Sequence, residues 1–390
     1  MSDLESLRKR QAELTPDRVL SCLDRALSAW RDPGSKVREQ LRAKHPVFSP
    51  EVVDLGCDLG LRQWTRASLD ALRAREIPAL YRAPTVTAVW LAGCVPTASF
   101  AAIVYPLLVG SAVYVKPSAA DPVSPGLFRE SLLDADPAVG EAVALGTDAE
   151  VLREADAVVV HGSDETVSEL RARVPVDRIF IGYGHKVSIS AIGQGIGIET
   201  AARDLGRDIT LYDGRGCLSP AWVLVENTPS GRSLEFARAL GKELARLASA
   251  LPPGRLHAEE HAWVHDRRAR ATLREGTTLL SSDGTAWSVI LEAVRAPCEP
   301  GMLRTVPVVP VATLDDLGEW CSRHAPHLSS VGHAGWGTRT AQLGEIVALC
   351  GASRLCGLGN MQVPPIDWNH DGLGPLSALI RRVDVETAQG

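Results

Sequence analysis

Apolar residues fall along the chain at two different periods. Val19, Leu20, Leu23, Ala26, Leu27 and Trp30 recur every three or four positions, which places them on one face of a helix. Thr15-Pro16-Asp17 offers a cap and a proline at the first helical position, so the helix is expected over 15–31. A second is expected over 62–75. The run Thr85 to Leu91 is rich in β-branched residues and reads as a buried strand. A helix of small residues follows from Thr97 to Leu108, then Gly110, then a second strand from Ala112 to Lys116. A strand, a crossover helix and a strand form the unit of a parallel sheet covered on both faces.

The alternation continues with strands at 143–145, 157–160, 178–181 and 187–192 and helices at 147–154 and 163–172. Beyond residue 212 it restarts. A strand is expected at 221–225, a long helix at 233–250, and a strand at 306–312 (VPVVPVA), placed at a sheet edge because its two prolines lack ladder donors. The apolar segments 331–333 and 343–349 and a C-terminal helix near 376–382 complete the second α/β domain. The expected fold is α/β, with two doubly wound parallel domains. The first spans 1–212, with part of 340–390 returning to it, and the second spans 213–340.

Composition narrows the function. Of 390 residues 45% are hydrophobic and 23% charged, the net charge is −6, and no basic block occurs. Nucleic acid and anionic membranes are therefore poor partners. The apolar stretch from Thr97 to Val115 is broken by Ser99, Tyr105, Pro106, Gly110 and Ser111, so a helix and a strand are expected rather than a membrane span. The polar start Met1 to Arg10 lacks a secretory h-region. Eight cysteines, none in a C-x-x-C pair, suit reduced thiols in the cytoplasm.

Three segments carry candidate chemistry. Cys217 lies in Asp213-Gly-Arg-Gly-Cys217-Leu-Ser-Pro220, a glycine-flanked turn whose backbone N–H groups can approach an oxyanion beside a thiolate. A structural loop cysteine is the competing reading. Lys116-Pro-Ser118 ends a strand at the carboxyl edge of a sheet, where open α/β folds bind ligands. His161-Gly162-Ser163-Asp164 opens a helix after a strand, a place suited to phosphate.

The order Val113-Tyr-Val-Lys116-Pro-Ser118, Gly162-Ser163, Gly182-Tyr-Gly-His-Lys186 and Cys217 resembles the aldehyde dehydrogenase superfamily. Within it, Ile181 to Ile189 and the tail Trp368-Asn-His-Asp-Gly372 with Leu379 to Glu386 are similar to the acyl-CoA and acyl-protein thioester reductases of the LuxC type. These are the fatty acid reductases of bacterial luciferase systems. The resemblance covers about residues 80–386. It implies an aldehyde-dehydrogenase-like fold and reduction of an acyl thioester to an aldehyde through a covalent Cys217 thioester. By the same resemblance Lys116 holds the adenosine ribose or its 2′-phosphate, Ser118 is counted with the cofactor-binding residues, and Gly162 and Ser163 face the pyrophosphate. Glu299 lies near the nicotinamide ribose, and His185 or His370 assists the thiolate or leaving group. Implied partners are acyl-CoA or an acyl-carrier protein, an acyl-transfer protein and further copies of the chain in a homo-oligomer.

Departures from the family pattern sharpen this. NAD-preferring relatives often carry a glutamate three residues after the lysine; here that residue is Ala119, which favours NADPH over NADH. The hydrolytic relatives' glutamate base falls at Gly182, and no carboxylate occurs between Asp177 and Glu199. Reduction of the acyl group is then expected over hydrolysis. The oxyanion asparagine is replaced by Gly93 or Cys94, with packing the expected role of Cys94. Rival readings are an acyl-phosphate reductase, a non-redox cysteine acyltransferase or thioesterase, and an inactive subunit of an acyl-transfer complex. Gly193-x-Gly195-x-Gly197 is read as a flexible turn. His257, His261 and His265 are read as a solvated helix face rather than a metal site.

Overall fold

The computed structural model describes residues 3–228, 230–293, 298–325 and 327–386. It comprises two compact units: 1–45 with 57–185 and 365–390, and 46–56 with 186–364. The division after His185, rather than near residue 212, follows from strand pairing. Strand 187–192, expected in the first domain, pairs in the sheet of the second unit. Of the 340–390 segment, only the part from Pro365 belongs with the first unit.

In the first unit a short β1 (Tyr81–Arg82) precedes five parallel strands: β2 (Val86–Trp90), β3 (Ala112–Lys116), β4 (Val143–Leu145), β5 (Ala157–His161) and β6 (Ile179–Tyr183). Their spatial order is β4-β3-β2-β5-β6. The chain therefore reverses direction across the sheet between β2 and β5, and the crevice at the carboxyl ends of such strands is where doubly wound sheets bind ligands. All five residues of β2 are buried, as expected for a central parallel strand. Helix Pro16–Arg31 buries the six positions its periodicity singled out, together with Cys22. Its Trp30 donates to Ser131 Oγ at 2.8 Å and lies 4.6 Å from the Phe100 ring. Helix Pro96–Leu108 forms as expected and keeps Pro106 inside it.

The C-terminal segment departs from expectation. No helix forms over 376–382; a single 3₁₀ turn, Ser377–Leu379, is followed by a strand, Arg381–Arg382, paired antiparallel with β1. Arg382-Val-Asp-Val385 alternates charged and β-branched residues, a period-two pattern that suits a strand. Glu76 Oε2 accepts from Leu376 and Ser377 N–H at 2.9 and 3.0 Å and ties the turn down.

The second unit holds seven strands: β7 (Val187–Ile192), β8 (Pro220–Glu226), β9 (Thr278–Ser281), β10 (Ser288–Leu291), β11 (Thr305–Val311), β12 (Leu328–Ala334) and β13 (Arg354–Gly357). Their order is β13-β12-β7-β8-β11-β10-β9, parallel except for β9 against β10. The proline-bearing β11 is thus interior, not an edge strand. Val308 O accepts from Glu292 N–H on the β10 side and Val311 O from Asn227 N–H on the β8 side, so even-numbered residues face β10 and odd-numbered ones β8. Pro310 then lies past the last β10 pairing, Leu291↔Val308, and Pro307 before the first β8 pairing, Val308↔Val223. Each missing donor falls where no ladder bond was available, and the tolerance usually confined to edges extends to an interior strand.

Candidate active site

The two units present separate groups of candidate residues. In the first, they collect at the carboxyl edge of the sheet. Lys116 ends β3 and is half-buried. Ser118 is buried, and its Oγ accepts from Ala120 N–H at 3.1 Å, closing a tight turn beneath the exposed Ala119. The nearest following carboxylate, Asp121, is 1% exposed and its Oδ1 accepts from Val123 and Ser124 N–H. It therefore does not substitute for a side-chain carboxylate at 119. Gly162 follows β5, and Ser163 caps helix Asp164–Arg171 with its Oγ accepting from Thr166 N–H at 3.3 Å. The Gly182 position is closed: a Cβ there would lie 2.6 Å from Val167 Cγ1 and 3.0 Å from the Phe180 ring. A glutamate does not fit without displacing both.

The two candidate histidines differ. His185 is exposed, and its backbone N–H donates to Asp164 Oδ1 at 2.8 Å. His370 lies within a row of rings, 4.1 Å from Tyr183 at 9° and 4.7 Å from Trp368 at 30°. His161 lies 4.9 Å from Tyr183 and 6.3 Å from His370. The family-like tail is thus docked on the ends of β5 and β6 by stacked rings, an arrangement in which offset aromatic contact adds to burial. The sequence placed Gly162-Ser163 here but missed His161, Tyr183 and Trp368. The signal was available, since both ring-bearing strands end at these residues.

Burial, aided by the neighbouring His370, pushes His161 down to about 3. A histidine depressed in the folded state binds its proton more weakly than in the unfolded chain. Its contribution to stability is therefore present above the usual value near 6.5 and is lost as pH falls from about 6.5 toward 3. His161→Phe keeps a ring in the row and removes the proton site. Thermal denaturation across this pH range should show the variant losing less stability on acidification, by at most about 1.4 kcal/mol per pH unit.

In the second unit Cys217 occupies the turn between helix Ile198–Thr210 and β8. It is the one exposed cysteine of the eight, and none forms a disulfide. Burial pushes the thiols of Cys22, Cys298 and Cys321 up to about 12 and that of Cys356 to about 11. Thiolate chemistry is accordingly suppressed at those four positions.

The Cys217 turn is fixed on both sides. Ser188 Oγ donates to the Cys217 carbonyl at 2.7 Å, and Ser219 Oγ accepts from Gln362 Nε2 at 2.5 Å. Arg215 forms a two-pronged pair with Glu260. Tyr212, Asp213 and Gly214 all adopt left-handed backbone, with φ of 61°, 54° and 68°. The sequence suggested the turn from its glycines but missed Ser188, Gln362 and the buried Asp213.

The remaining sequence readings resolve plainly. Glu299 is paired with Arg267 at 2.7 Å and Arg270 at 3.1 Å, on helix Ala258–Leu273. Cys94 is buried and its carbonyl meets His45 Nε2 at 3.1 Å, while Gly93 has φ 79° and open space beside it. His257, His261 and His265 are exposed, and no cluster of three metal-type ligands forms among the described residues. The Gly193–Gly197 turn is pinned rather than flexible, since the Gly193 and Gly195 N–H groups donate to Ala334 and Gly335 carbonyls at 2.8 Å. Among the described residues no helix is long and apolar enough to cross a membrane.

The profile of the acyl-CoA reductase (LuxC) family matches residues 11–382. The chain belongs to this family. Its similarity to curated LuxC-family proteins is distant. It is 24% identical to the long-chain acyl-protein thioester reductase of Aliivibrio fischeri, over 76% of this chain and 63% of that one. The second such reductase of Photobacterium leiognathi is 22% identical with the same coverage. The chain thus spans less than two thirds of the length of the curated relatives it matches. Among solved structures it superposes on an oxidoreductase from Marinobacter aquaeolei with a TM-score of 0.77 at 14% identity, covering 97% of this chain and 89% of that one. It superposes on glyceraldehyde-3-phosphate dehydrogenase GapN from Methanocaldococcus jannaschii, solved with NADP, with a TM-score of 0.76 at 11% identity, covering 97% and 92%. This LuxC-family chain therefore has the aldehyde-dehydrogenase-like fold.

Proposed function

We propose that the protein reduces an acyl thioester, as acyl-CoA or a protein-bound acyl group, to the aldehyde with NADPH. The reading rests above all on Cys217, the one exposed thiol of eight, set on a turn fixed on both sides. The name borne by the curated relatives, long-chain acyl-protein thioester reductase, points the same way. In the proposed reaction the Cys217 thiolate attacks the thioester carbonyl and the donor thiol leaves, giving an acyl-enzyme thioester. Backbone N–H groups of the turn would face the developing oxyanion. With Gly182 closed to a glutamate, water lacks the general base that hydrolytic relatives keep there, so the acyl-enzyme persists.

A bound NADPH would supply a hydride; the Cys217 acyl-enzyme carbonyl would take it up as a thiohemiacetal alkoxide, which collapses to the aldehyde and returns the Cys217 thiolate. The residues present fit the dinucleotide: a β2/β5 switch point, a half-buried lysine ending β3 and a capped helix opening after β5. Lys116 and Ser118 would hold the adenosine ribose and 2′-phosphate, and Gly162 and Ser163 the pyrophosphate. Glu299, oriented by Arg267 and Arg270, is assigned to the nicotinamide ribose. We assign His370 to docking the tail and leave the acid–base role to His185, which is exposed. The first unit would thus supply most of the cofactor contacts, and the second would supply Glu299 and carry the acyl group.

A panel of acyl-CoAs and acyl-carrier thioesters incubated with NADPH or NADH tests the proposal. Cofactor oxidation matched one-to-one by aldehyde supports it. Thiol release without oxidation would favour a non-redox acyltransferase or thioesterase, and turnover of acyl phosphate with phosphate release would favour an acyl-phosphate reductase. For the cofactor, Lys116→Ala should weaken NADPH binding by about 10- to 100-fold, the loss of one charge-assisted phosphate contact. Its effect on NADH binding should be smaller. Equal losses for both would remove the 2′-phosphate role.

A further inference from the structure

The strained backbone ahead of Cys217 meets a second strained turn. Tyr212 and Asp213 hold φ of 61° and 54°, and across from them Leu303 and Arg304 hold 52° and 54°. These are four non-glycine residues in a region that L-residues avoid. The two turns touch: a Cβ on Gly214, itself at φ 68°, would lie 3.3 Å from Leu303 N and 3.4 Å from Arg304 N. A buried ion pair joins them. Arg304 Nε and an adjacent guanidinium nitrogen lie 2.7 and 2.6 Å from Asp213 Oδ1, and both residues are 2% exposed. The other carboxylate oxygen accepts from Gly254 N–H at 2.9 Å, and Arg304 Nη1 donates to the Leu251 carbonyl at 2.8 Å. The Tyr212 ring is held by Phe48 at 5.5 Å and by Gly56, where a Cβ would come within 2.7 Å of it.

Strained backbone persists only where its surroundings over-determine it, and it gathers where geometry serves function. Fold stability alone gives little reason to combine four left-handed residues with a desolvated ion pair, because buried pairs are often no better than apolar packing of the same volume. What the arrangement does is fix the direction in which the chain enters Arg215-Gly216-Cys217.

We propose that Asp213 and Arg304 are positioning residues that aim the Cys217 turn for acyl transfer; the proposal rests on Cys217 being the nucleophile. A thiol needs only exposure to react with a small alkylating agent. It needs backbone and Sγ aligned together to form and stabilise a tetrahedral adduct. Loosening the pair should therefore slow acylation while leaving alkylation and cofactor binding nearly unchanged.

The test uses the full chain with Asp213→Asn, which preserves shape and removes the charge, and Arg304→Lys, which keeps the charge but not the fork. Three quantities are compared with the unmodified protein: the burst of CoA thiol release from an acyl-CoA, the rate of iodoacetamide modification of Cys217, and NADPH binding by fluorescence. A 30-fold or greater loss of burst rate, with alkylation and NADPH affinity within threefold, supports the proposal in either variant that folds. A burst rate within threefold in a folded variant overturns it, as does a parallel loss of all three, which marks a general structural role. If neither variant folds, the pair is a stability element and the proposal also fails. Acylation of the unmodified chain that persists in Cys217→Ala fails the nucleophile reading itself, a pattern distinct from the others.

Discussion

Cys217→Ala is expected to abolish formation of a hydroxylamine-sensitive acyl label from acyl-CoA and to lower reductase turnover by about 10³-fold or more. That is the scale seen when a covalent nucleophile is removed and only binding and oxyanion contacts remain. Alanine at an exposed turn position disturbs little else, because the carbonyl of residue 217 still accepts from Ser188 and residue 219 still accepts from Gln362. The thermal midpoint should stay within a degree or two of the parent. NADPH binding should also be nearly unchanged, since Lys116, Ser118, Gly162 and Ser163 lie in the other unit and Glu299 is held by Arg267 and Arg270. The variant should equally lose the fast-reacting thiol equivalent seen by Ellman's reagent, because Cys217 is the exposed thiol of the eight. Equal acyl labelling of parent and variant would remove Cys217 from the mechanism.

Gly335→Ala is expected to be strongly destabilising, costing about 3 kcal/mol. Two effects add. Gly335 has φ 78°, and its new Cβ would sit 2.6 Å from the Gly193 carbonyl oxygen and 2.9 Å from Ile196 N. Those are backbone atoms, held by the bonds from Gly193 and Gly195 N–H to residues 334 and 335, so they cannot swing away as a side-chain tip would. Gly337→Ala separates the two effects: its φ is 54°, with nothing within 4 Å of the new Cβ. It should cost only the conformational part, about 1 kcal/mol. Urea denaturation of both variants gives the comparison, and equal losses would show that close backbone approach contributes nothing here.

This pair of glycine turns also illustrates why part of the chain was misread. Gly193-x-Gly195-x-Gly197 misses the spacing of a dinucleotide-binding loop and reads locally as a flexible turn. The reason for Gly193 and Gly195 lies in the distant backbone of Gly335, whose carbonyl oxygen would sit 2.5 and 2.9 Å from a Cβ at those positions. The β11 prolines misled in the same manner. A proline removes a donor wherever it stands, but whether that donor was needed depends on where the two neighbouring ladders begin and end. The C-terminal Arg381–Arg382 segment was assigned to a helix because the strand partner, Tyr81–Arg82, is about 300 residues distant.

What the sequence determined by itself was whatever rests on local periodicity and local chemistry. The amphipathic face of helix 16–31, the bounds of β3, β4 and β7, the glycine-flanked Cys217 turn and the ordered lysine, glycine-serine and cysteine segments were all legible. Each is written in consecutive residues. Only the tertiary structure decided which sheet β7 joins, that β11 is interior, and that rings from β5, β6 and the tail stack together. It also decided that the closed Gly182 position meets Val167, and that Asp213 meets Arg304. Those facts come from packing between distant segments, where burial, close approach and charge pairing depend on coordinates that no local pattern encodes.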